Sequence, residues 1–302
     1  MTTEIGRLLT AMITPFKADG SVDYQAAEKL VATLVADGSD GVVVSGTTGE
    51  SPSLSDDEKI ELLKVVRKAI PGKSVVAGTG SNDTHHSVKL SERAMKAGSD
   101  ALLAVVPYYN KPPQEGMYQH FKAISEVGPT IMYNIQGRTA VNMTAATTLR
   151  CAELPGILGV KEASGDLDQI GLVCAGKPER FKVWSGDDSW TLPVLAVGGY
   201  GVICVVSHIA GRSMRKLVAA HEDNDNDEAR RIHLGLLPVI KTLMTTAANP
   251  VPIKSVLNAM GFAAGPFRLP LVPLTDEQLQ SVMQTIREAG DLITFKAGVK
   301  VA

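Results

Sequence analysis

Short apolar runs alternate along this chain with longer amphipathic stretches. The runs are rich in Val, Ile, Leu and Ala, and such runs are typical of strands buried on both faces of a parallel sheet. Eight of them predict strands at Leu8–Thr14, Gly41–Ser45, Ser74–Thr79, Ala101–Val106, Thr130–Tyr133, Ile157–Lys161, Lys182–Ser185 and Val202–Ser207.

The stretches between these runs carry apolar residues at helical spacing. They predict helices near Tyr24–Ala36, Asp56–Ala69, Thr84–Ala97, Gln114–Glu126, Thr144–Glu153, Leu167–Ala175, Trp190–Val197 and Ser213–His221. A strand–helix unit repeated eight times indicates a closed (β/α)₈ TIM barrel of the α/β class. The alternative is an open, doubly wound sheet. Near-equal units, without a Gly-x-Gly-x-x-Gly motif after the first strand, favour the closed barrel.

The chain beyond the eighth unit has a different pattern. The acidic stretch 222–228 predicts a solvated turn at the end of the barrel. Three more helices are expected at about Glu228–Thr246, Ile253–Met260 and Asp276–Ala289. We therefore predict a catalytic barrel over residues 1–225 and a C-terminal helical region over 226–302, with a loose tail at Phe295–Ala302.

Composition excludes several classes of function. The chain has 302 residues, 44% of them hydrophobic, so it can bury a large core. A net charge of −2 without a basic patch argues against nucleic acid as a partner. The three cysteines, Cys151, Cys174 and Cys204, favour reduced thiols in a cytoplasmic protein. The apolar run Leu8–Ile13 is too short for a signal peptide or a membrane span, so we expect no membrane association.

Lys161 carries the strongest chemical signal in the sequence. It closes the apolar run Ile157–Lys161, and chemistry in such barrels lies at the C-terminal ends of the strands. A buried lysine must be paired or lose its proton, and the neutral amine is a nucleophile towards carbonyl groups. The alternative is a lysine without a chemical role, at the solvent-exposed end of its strand.

Other strand ends supply groups that suit carbonyl chemistry. Tyr133 ends the neighbouring strand, and its phenol can move protons, although it could also be an ordinary buried aromatic residue. Thr47 and Thr48 lie in a glycine-flanked loop that can bind a small carboxylate or can be a simple tight turn. Arg138 follows a glycine and can bind a second carboxylate or form a surface salt bridge.

Competing motifs are weaker. Gly46-Thr47-Thr48-Gly49 lacks the Gly-Lys-Ser/Thr of a P-loop, and His85-His86 lacks partners at metal-binding spacing. Asp187 and Asp188 are adjacent, so their side chains point apart and do not form a glycosidase pair. His208 is more simply explained as a polar residue at a strand end. We expect neither a metal nor a cofactor.

Four motifs in order carry a resemblance to a known family. Together they resemble the dihydrodipicolinate synthases, which are pyruvate-dependent class I aldolases related to N-acetylneuraminate lyase. The resemblance covers nearly the whole chain and includes the turn Asn249–Lys254 and Arg268–Pro270. The motifs are Gly46-Thr47-Thr48-Gly49-Glu50-Ser51, Pro107-Tyr108-Tyr109-Asn110-Lys111-Pro112, Tyr133-Asn134-Ile135-Gln136-Gly137-Arg138-Thr139 and Gly159-Val160-Lys161-Glu162-Ala163-Ser164-Gly165-Asp166.

The resemblance implies a catalytic role for four residues. Lys161 would form a Schiff base with pyruvate. Tyr133 would move protons and would be linked through Thr47 to Tyr109, which in the family reaches in from a neighbouring subunit. The family is typically a tetramer built from tight dimers, so we expect a homotetramer.

The resemblance also implies the substrates. Thr48 and the backbone at Ile203 would hold the pyruvate carboxylate, and Arg138 would bind the carboxylate of L-aspartate 4-semialdehyde. Gly186, after the seventh strand, is expected among the substrate contacts. The product would be 4-hydroxy-tetrahydrodipicolinate, on the route to diaminopimelate and lysine.

Two departures from the family pattern change the expectation. Gln136 stands where proline is usual, which removes a stiffening element before Arg138. In lysine-inhibited members a glutamate and nearby histidines hold the effector. Here His86 takes the glutamate position, while Asp56 and Lys59 take the histidine positions. Because a cation repels a cationic effector, we predict weak or absent lysine inhibition.

Two alternatives remain open on the sequence. A related aldolase that acts on a 2-oxo sugar acid, similar to N-acetylneuraminate lyase or 2-keto-3-deoxygluconate aldolase, would also need Lys161 and Tyr133. It would differ in what Arg138 binds. A catalytically dead barrel acting as a binding protein is disfavoured by the intact lysine, tyrosines and threonines.

Overall fold

The structure, a computed structural model, describes residues 4–296 and contains a closed barrel of parallel strands. Each strand pairs with the next along the chain, and β8 closes the barrel against β1. The strands are β1 (Leu8–Ala11), β2 (Gly41–Val44), β3 (Ser74–Gly78), β4 (Ala101–Val105), β5 (Thr130–Asn134), β6 (Ile157–Glu162), β7 (Lys182–Ser185) and β8 (Gly201–Cys204).

Helices surround the barrel and continue beyond it. The sequence-based (β/α)₈ fold with C-terminal helices is therefore confirmed. Within residues 4–296, no helix combines the length and the apolar character needed to cross a membrane. The helices are α1 (Tyr24–Ala36), α2 (Asp56–Ala69), α3 (Thr84–Lys96), α4 (Gln114–Ser125), α5 (Gln136–Thr139), α6 (Ala145–Ala152), α7 (Leu167–Gly176), α8 (Thr191–Ala196), α9 (Ser207–Glu222), α10 (Asn226–Thr245), α11 (Val251–Ala259) and α12 (Asp276–Glu288).

The apolar runs form strands because both of their faces are buried. One set of side chains fills the barrel interior, and the alternate set packs beneath the helices. The interior set consists of Ile5, Leu9, Ala11, Val43, Val76, Ala101, Leu103, Ile131, Tyr133, Trp184 and Ile203.

The eighth strand is shorter than the sequence predicted. It ends at Cys204 because the next two backbone N–H groups, those of Val205 and Val206, donate to the buried carboxylate of Asp188 at 3.0 and 2.6 Å. Burial raises the pKa of Asp188 to about 6, against the opposing effect of these donors. Ser207, predicted to end the strand, instead begins helix α9.

The C-terminal residues are more ordered than expected. Phe295 is buried, and its backbone N–H donates to Ile209 O at 3.0 Å, so the prediction that a loose tail starts at Phe295 is wrong at that residue. The rest of the predicted tail, 297–302, lies outside the described residues. The predicted turn is confined to 223–225, because Glu222 ends α9 and 226–228 form the first turn of α10. The division near residue 225 stays a prediction.

His208 is a structural residue at the end of the barrel. Its Nδ1–H donates to Val205 O at 2.8 Å, and its Nε2 accepts from Ile13 N at 3.1 Å. The ring is therefore neutral, and a proton on Nε2 would remove the acceptor for Ile13. Burial lowers the pKa of His208 to about 4.

We expect His208 to make the fold sensitive to acid. Because its folded pKa lies below its unfolded value, its stabilising effect is complete above about pH 6.5. Between pH 6.5 and 4 the unfolded state takes up a proton that the folded state refuses, which costs roughly 3 kcal/mol of unfolding free energy. Urea unfolding of the wild type and of His208→Gln across this range measures the effect. The variant should lose less stability on acidification, and equal losses would contradict the assignment.

Candidate active site

Lys161 lies near the C-terminal end of β6 and points into the barrel. Its side chain is almost fully buried, and its Nζ lies 4.4 Å from the ring centre of Tyr133. The two residues are direct register partners on neighbouring strands. The amine and the phenol-bearing ring therefore share one small region at the mouth of the barrel.

An irregularity in strand pairing sets this register. Thr130 pairs with Ile157, but the next residue, Ile131, pairs with Gly159, so β6 carries one extra residue. Without this shift Tyr133 would pair with Val160, and the lysine would lie on the opposite face. The close approach of Lys161 and Tyr133 thus depends on one inserted position.

Glu162, directly after the lysine, points to the outer face of the barrel. Asn134 donates to both of its carboxylate oxygens at 3.1 and 3.3 Å, and Ser164 N donates at 2.8 Å. Burial raises the pKa of Glu162. Among residues 4–296, no carboxylate lies within 4.0 Å of the Lys161 amine. Glu162 therefore fastens the two strand ends together and does not pair with the lysine.

The glycine-flanked loop after β2 presents hydroxyl groups to the same mouth. Thr14 Oγ1 donates to Gly49 O at 2.7 Å and ties this loop to the end of β1. Thr48 is buried, and its Oγ1 accepts a hydrogen bond from Asn249 Nδ2 at 2.9 Å. Because Asn249 supplies that hydrogen, the hydroxyl hydrogen of Thr48 can be donated to another acceptor, such as a carboxylate oxygen.

Arg138 lies on α5, a single helical turn that the sequence analysis treated as loop. Its side chain is exposed, and one guanidinium nitrogen donates to Asn249 O at 3.3 Å. Asn249 therefore contacts both Thr48 and Arg138. Asn249 belongs to one of the stretches that resemble the family, but no sequence pattern shows that residues 201 and 111 positions apart meet here.

Tyr109 does not reach this centre within its own chain. Its side chain is 88% exposed, and its backbone is left-handed, with a φ of 72°. Within the described part of the chain, no hydrogen bond joins Tyr109, Thr47 and Tyr133. The proton link through these three residues stays a prediction.

Two adjoining cavities lead to Tyr133. The larger, of about 740 Å³, opens beside Thr47 and Arg138, and the smaller, of about 40 Å³, reaches Tyr133. Both are bounded by Ser51, Gly80 and Val105, so the small cavity adjoins the large one. A small ligand can therefore approach Tyr133, whose ring contacts the Lys161 amine, by way of the glycine-flanked loop that carries Thr47.

The other two predicted substrate contacts also lie at this end. Gly186 follows β7, and its N–H donates to Glu162 O at 2.7 Å. A methyl group added at Gly186 would lie 3.1 Å from Lys161 Cγ and 2.8 Å from Ala163 Cβ, so glycine leaves the space that the lysine stem needs. Ile203 lies in β8 and belongs to the interior cluster.

A lysine, a tyrosine, paired threonines and an arginine at the C-terminal mouth of a barrel match one known family. The model described as "Dihydrodipicolinate synthetase family" matches residues 4–289. The chain belongs to this family. The resemblance inferred from the four motifs is thus confirmed.

Individual relatives agree with this assignment over nearly their full length. The 4-hydroxy-tetrahydrodipicolinate synthase of Moorella thermoacetica is 52% identical over 288 residues, which are 94% of this chain and 98% of the relative. The lysine-bound dihydrodipicolinate synthase of Cyanidioschyzon merolae has a TM-score of 0.92 at 43% identity, covering 95% of this chain and 98% of that one. A monomeric dihydrodipicolinate synthase variant has a TM-score of 0.91 at 38% identity, covering 95% and 97%.

The three residues from which weak lysine inhibition was predicted are paired with one another. His86 Nε2 lies 2.8 Å from Asp56 Oδ2, and Lys59 Nζ lies 3.8 Å from Asp56 Oδ1. All three residues line the larger cavity. Weak or absent lysine inhibition stays a prediction. Within residues 4–296, no group of three or more His, Cys, Asp or Glu side chains could hold a metal ion.

We expect Gly186→Ala to slow reaction at Lys161 without unfolding the protein. The added methyl would press on Ala163 and on the lysine stem, so these side chains must shift by roughly a few tenths of an ångström. Because misplacement of a reacting group by about 1 Å can cost about 100-fold, this smaller shift should lower turnover by up to roughly 10-fold. Steady-state kinetics and a thermal melt measure the two effects separately.

Gly171→Ala is the matched control, because a methyl group there meets nothing within 4 Å. It should leave turnover at the wild-type level. If Gly186→Ala is equally active, the space beside Lys161 does not limit the reaction.

Proposed function

We propose that this chain is a 4-hydroxy-tetrahydrodipicolinate synthase, a lyase that condenses pyruvate with L-aspartate 4-semialdehyde through a Schiff base on Lys161. The observation that carries the proposal is the buried Lys161 amine against the ring of Tyr133, at the end of a passage flanked by Thr47 and Arg138. Relatives about 50% identical over nearly the full length carry the same name. This family assignment disfavours the sugar-acid aldolase alternative.

The first half of the reaction activates pyruvate. The neutral Lys161 amine adds to the keto carbon, and the resulting carbinolamine loses its hydroxyl group as water to give the imine. We assign delivery of the proton that this water needs to Tyr133, whose ring centre lies 4.4 Å from the Lys161 amine. The protonated imine withdraws electrons, so a methyl proton leaves and the enamine forms. Lysine itself provides the electron sink, and no metal or cofactor is required.

The second half forms the new carbon–carbon bond. The enamine carbon attacks the aldehyde carbon of the semialdehyde, whose oxygen takes up a proton and becomes the 4-hydroxyl group. The amino group of the second substrate then attacks the imine carbon and expels the Lys161 amine. This step closes the ring and regenerates the free enzyme.

Two carboxylate sites would orient the substrates. The Thr48 oxygen accepts a hydrogen bond from Asn249, so its hydroxyl hydrogen is suited to donate to the pyruvate carboxylate. The backbone at Ile203 and Gly186 would provide further contacts. Arg138 is exposed at the mouth and suits the carboxylate of the incoming semialdehyde. Gln136 in place of proline leaves Arg138 at that position.

We propose that Tyr109 acts in the site of a neighbouring copy. Its 88% exposure and its left-handed backbone fit a side chain held out for a partner, where it would meet Thr47 and extend the proton path from Tyr133. A tight dimer would then be required for activity.

A second contact between dimers would complete the tetramer. Leu172 on α7 and Val197 after α8 are 64% and 37% exposed, and these two helices are neighbours. Exposed apolar side chains on adjacent helices favour association between identical faces. We also propose a cytoplasmic location, which the three unbridged cysteines support.

Replacement of Lys161 with alanine should abolish turnover while the fold remains. Without the amine, pyruvate cannot be held covalently, so borohydride reduction should leave the variant without the added mass of one reduced pyruvyl group. Intact-mass spectrometry and circular dichroism measure these two outcomes.

Lys182→Ala provides the control for this test. Lys182 begins β7 at the opposite end of the barrel, so its loss should leave both adduct and turnover. A Lys161→Ala protein that still traps pyruvate, or a wild type that never does, would contradict the Schiff-base mechanism.

Mixed oligomers test whether Tyr109 crosses between subunits. Tyr109→Phe and Lys161→Ala homo-oligomers should each be nearly inactive. In a hybrid dimer, the site that keeps Lys161 receives an intact Tyr109 from its partner, so about half of the wild-type activity should return. Co-expression with two affinity tags isolates the hybrid. Hybrids as inactive as both parents would show that Tyr109 does not act across the interface.

A further inference from the structure

A fully buried ion pair links the C-terminal region to the glycine-flanked loop 46–51 that carries Thr47 and Thr48. Lys254 on α11 and Glu50 at the end of the loop are 0% and 1% exposed in their side chains, and Lys254 Nζ lies 2.7 Å from Glu50 Oε1. Burying two charges is unfavourable unless both are paired and hydrogen-bonded. This pair has no contact with the reacting residues Lys161 and Tyr133, so its presence needs another explanation.

Both members of the pair have additional partners. Lys254 Nζ donates to Thr14 O at 2.9 Å and lies 4.0 Å from the ring centre of Phe16. Glu50 Oε2 accepts from Arg268 N at 3.3 Å. Desolvation lowers the pKa of Lys254, while its bond to Glu50 acts in the opposite direction. Both members of the pair are therefore hydrogen-bonded, and together they join four segments of the chain, at Thr14–Phe16, Glu50, Lys254 and Arg268.

The loop that the pair holds is strained at Glu50. Its φ of 56° is left-handed, a conformation unfavourable for a residue with a side chain. Such backbone persists only where surrounding contacts enforce it. The neighbouring loop bonds, Gly49 N to Gly46 O and Glu50 N to Thr47 O, both measure 3.1 Å and are local to the turn. The shortest long-range bond to Glu50 itself is that from Lys254, at 2.7 Å, and the bonds from Arg268 N to Glu50 and from Thr14 to Gly49 O act beside it.

A second tie runs between the same two segments. Asn249 donates to Thr48 at 2.9 Å. Asn249 lies five residues before Lys254, and Thr48 lies two residues before Glu50. The two contacts are therefore parallel connections between the segment 249–254 and the loop 46–51. The first contact ends at the buried carboxylate of Glu50. The second ends at the Thr48 hydroxyl, which would bind substrate in the proposed function.

We propose that Lys254 and Glu50 are positioning residues, which hold Thr48 where it binds pyruvate. This inference rests on the proposed function. When the pair is broken, the strained backbone at Glu50 relaxes and the Thr48 hydroxyl moves away from the pyruvate carboxylate. Lys161, on the far side of the mouth, keeps its place in the strand register.

This arrangement predicts a split between kinetic constants. The KM for pyruvate should rise about 10- to 100-fold, because displacement of binding groups by about 1 Å has effects of this size. The KM for the semialdehyde should change much less. At saturating pyruvate, borohydride trapping on Lys161 should still reach the wild-type extent.

Three variants test the pair, namely Lys254→Met, Glu50→Gln and the double variant. Each single variant leaves one partner uncompensated, so its melting temperature should also fall. The double variant carries no unpaired charge and should recover its melting temperature. Its KM for pyruvate should nevertheless stay high, because the tie to the loop is still missing. If Lys254→Met does not fold, the double variant decides the question.

Asp37→Asn is the matched control for loss of a buried carboxylate. Asp37 lies at the opposite end of the barrel, where it accepts from Gly211 N at 3.0 Å, Arg212 Nε at 2.9 Å and Thr294 Oγ1 at 2.6 Å. This variant should lose melting temperature while its KM for pyruvate stays at the wild-type value.

Three results would overturn the inference. These are an unchanged KM for pyruvate in the Lys254 and Glu50 variants, its full recovery together with stability in the double variant, or an equal rise in Asp37→Asn. Failure of the proposed function would look different, because the wild type itself would then trap no pyruvate.

Discussion

The pairing of β5 with β6 is the constraint on which the site depends. In parallel strands, side chains alternate between the interior and the helix-facing side, so a slip of one residue exchanges the two sets. The extra residue of β6 sets the phase in which Tyr133 faces Lys161. On the outer face, the same phase places Asn134 against Glu162, whose hydrogen bonds secure it. A polar contact outside the barrel thus fixes Tyr133 against Lys161 within it.

The strand ends were predictable from sequence because burial on both faces leaves a clear apolar pattern. Lys161 stood out as a charge inside such a run, and all eight proposed site residues lie on or directly after the strands' C-terminal ends. The cap at the start of a helix could also be predicted from the sequence. Ser55 caps α2, and Glu58 completes the capping box by bonding back to the Ser55 backbone.

What the sequence did not reveal depends on distant contacts. The inserted position in β6 leaves no mark in an apolar run, because either register buries the same types of residue. Asn249 and Lys254 lie about two hundred residues from their partners Thr48 and Glu50. Ser207 was misassigned to the eighth strand because the carboxylate that ends this strand, that of Asp188, comes from another part of the chain.

The amide of Asn134 has a further consequence through its other bonds. Its Nδ2 donates to Asn142 Oδ1 at 2.8 Å, and its Oδ1 accepts from Met143 N at 3.1 Å. The segment 135–141, which carries Arg138, is therefore anchored to Asn134 at both of its ends. Point substitutions in this span, such as Gln136, leave both anchors in place, whereas an insertion would strain them. The sequence that carries Arg138 can therefore vary without altering the strand geometry that brings Tyr133 to Lys161.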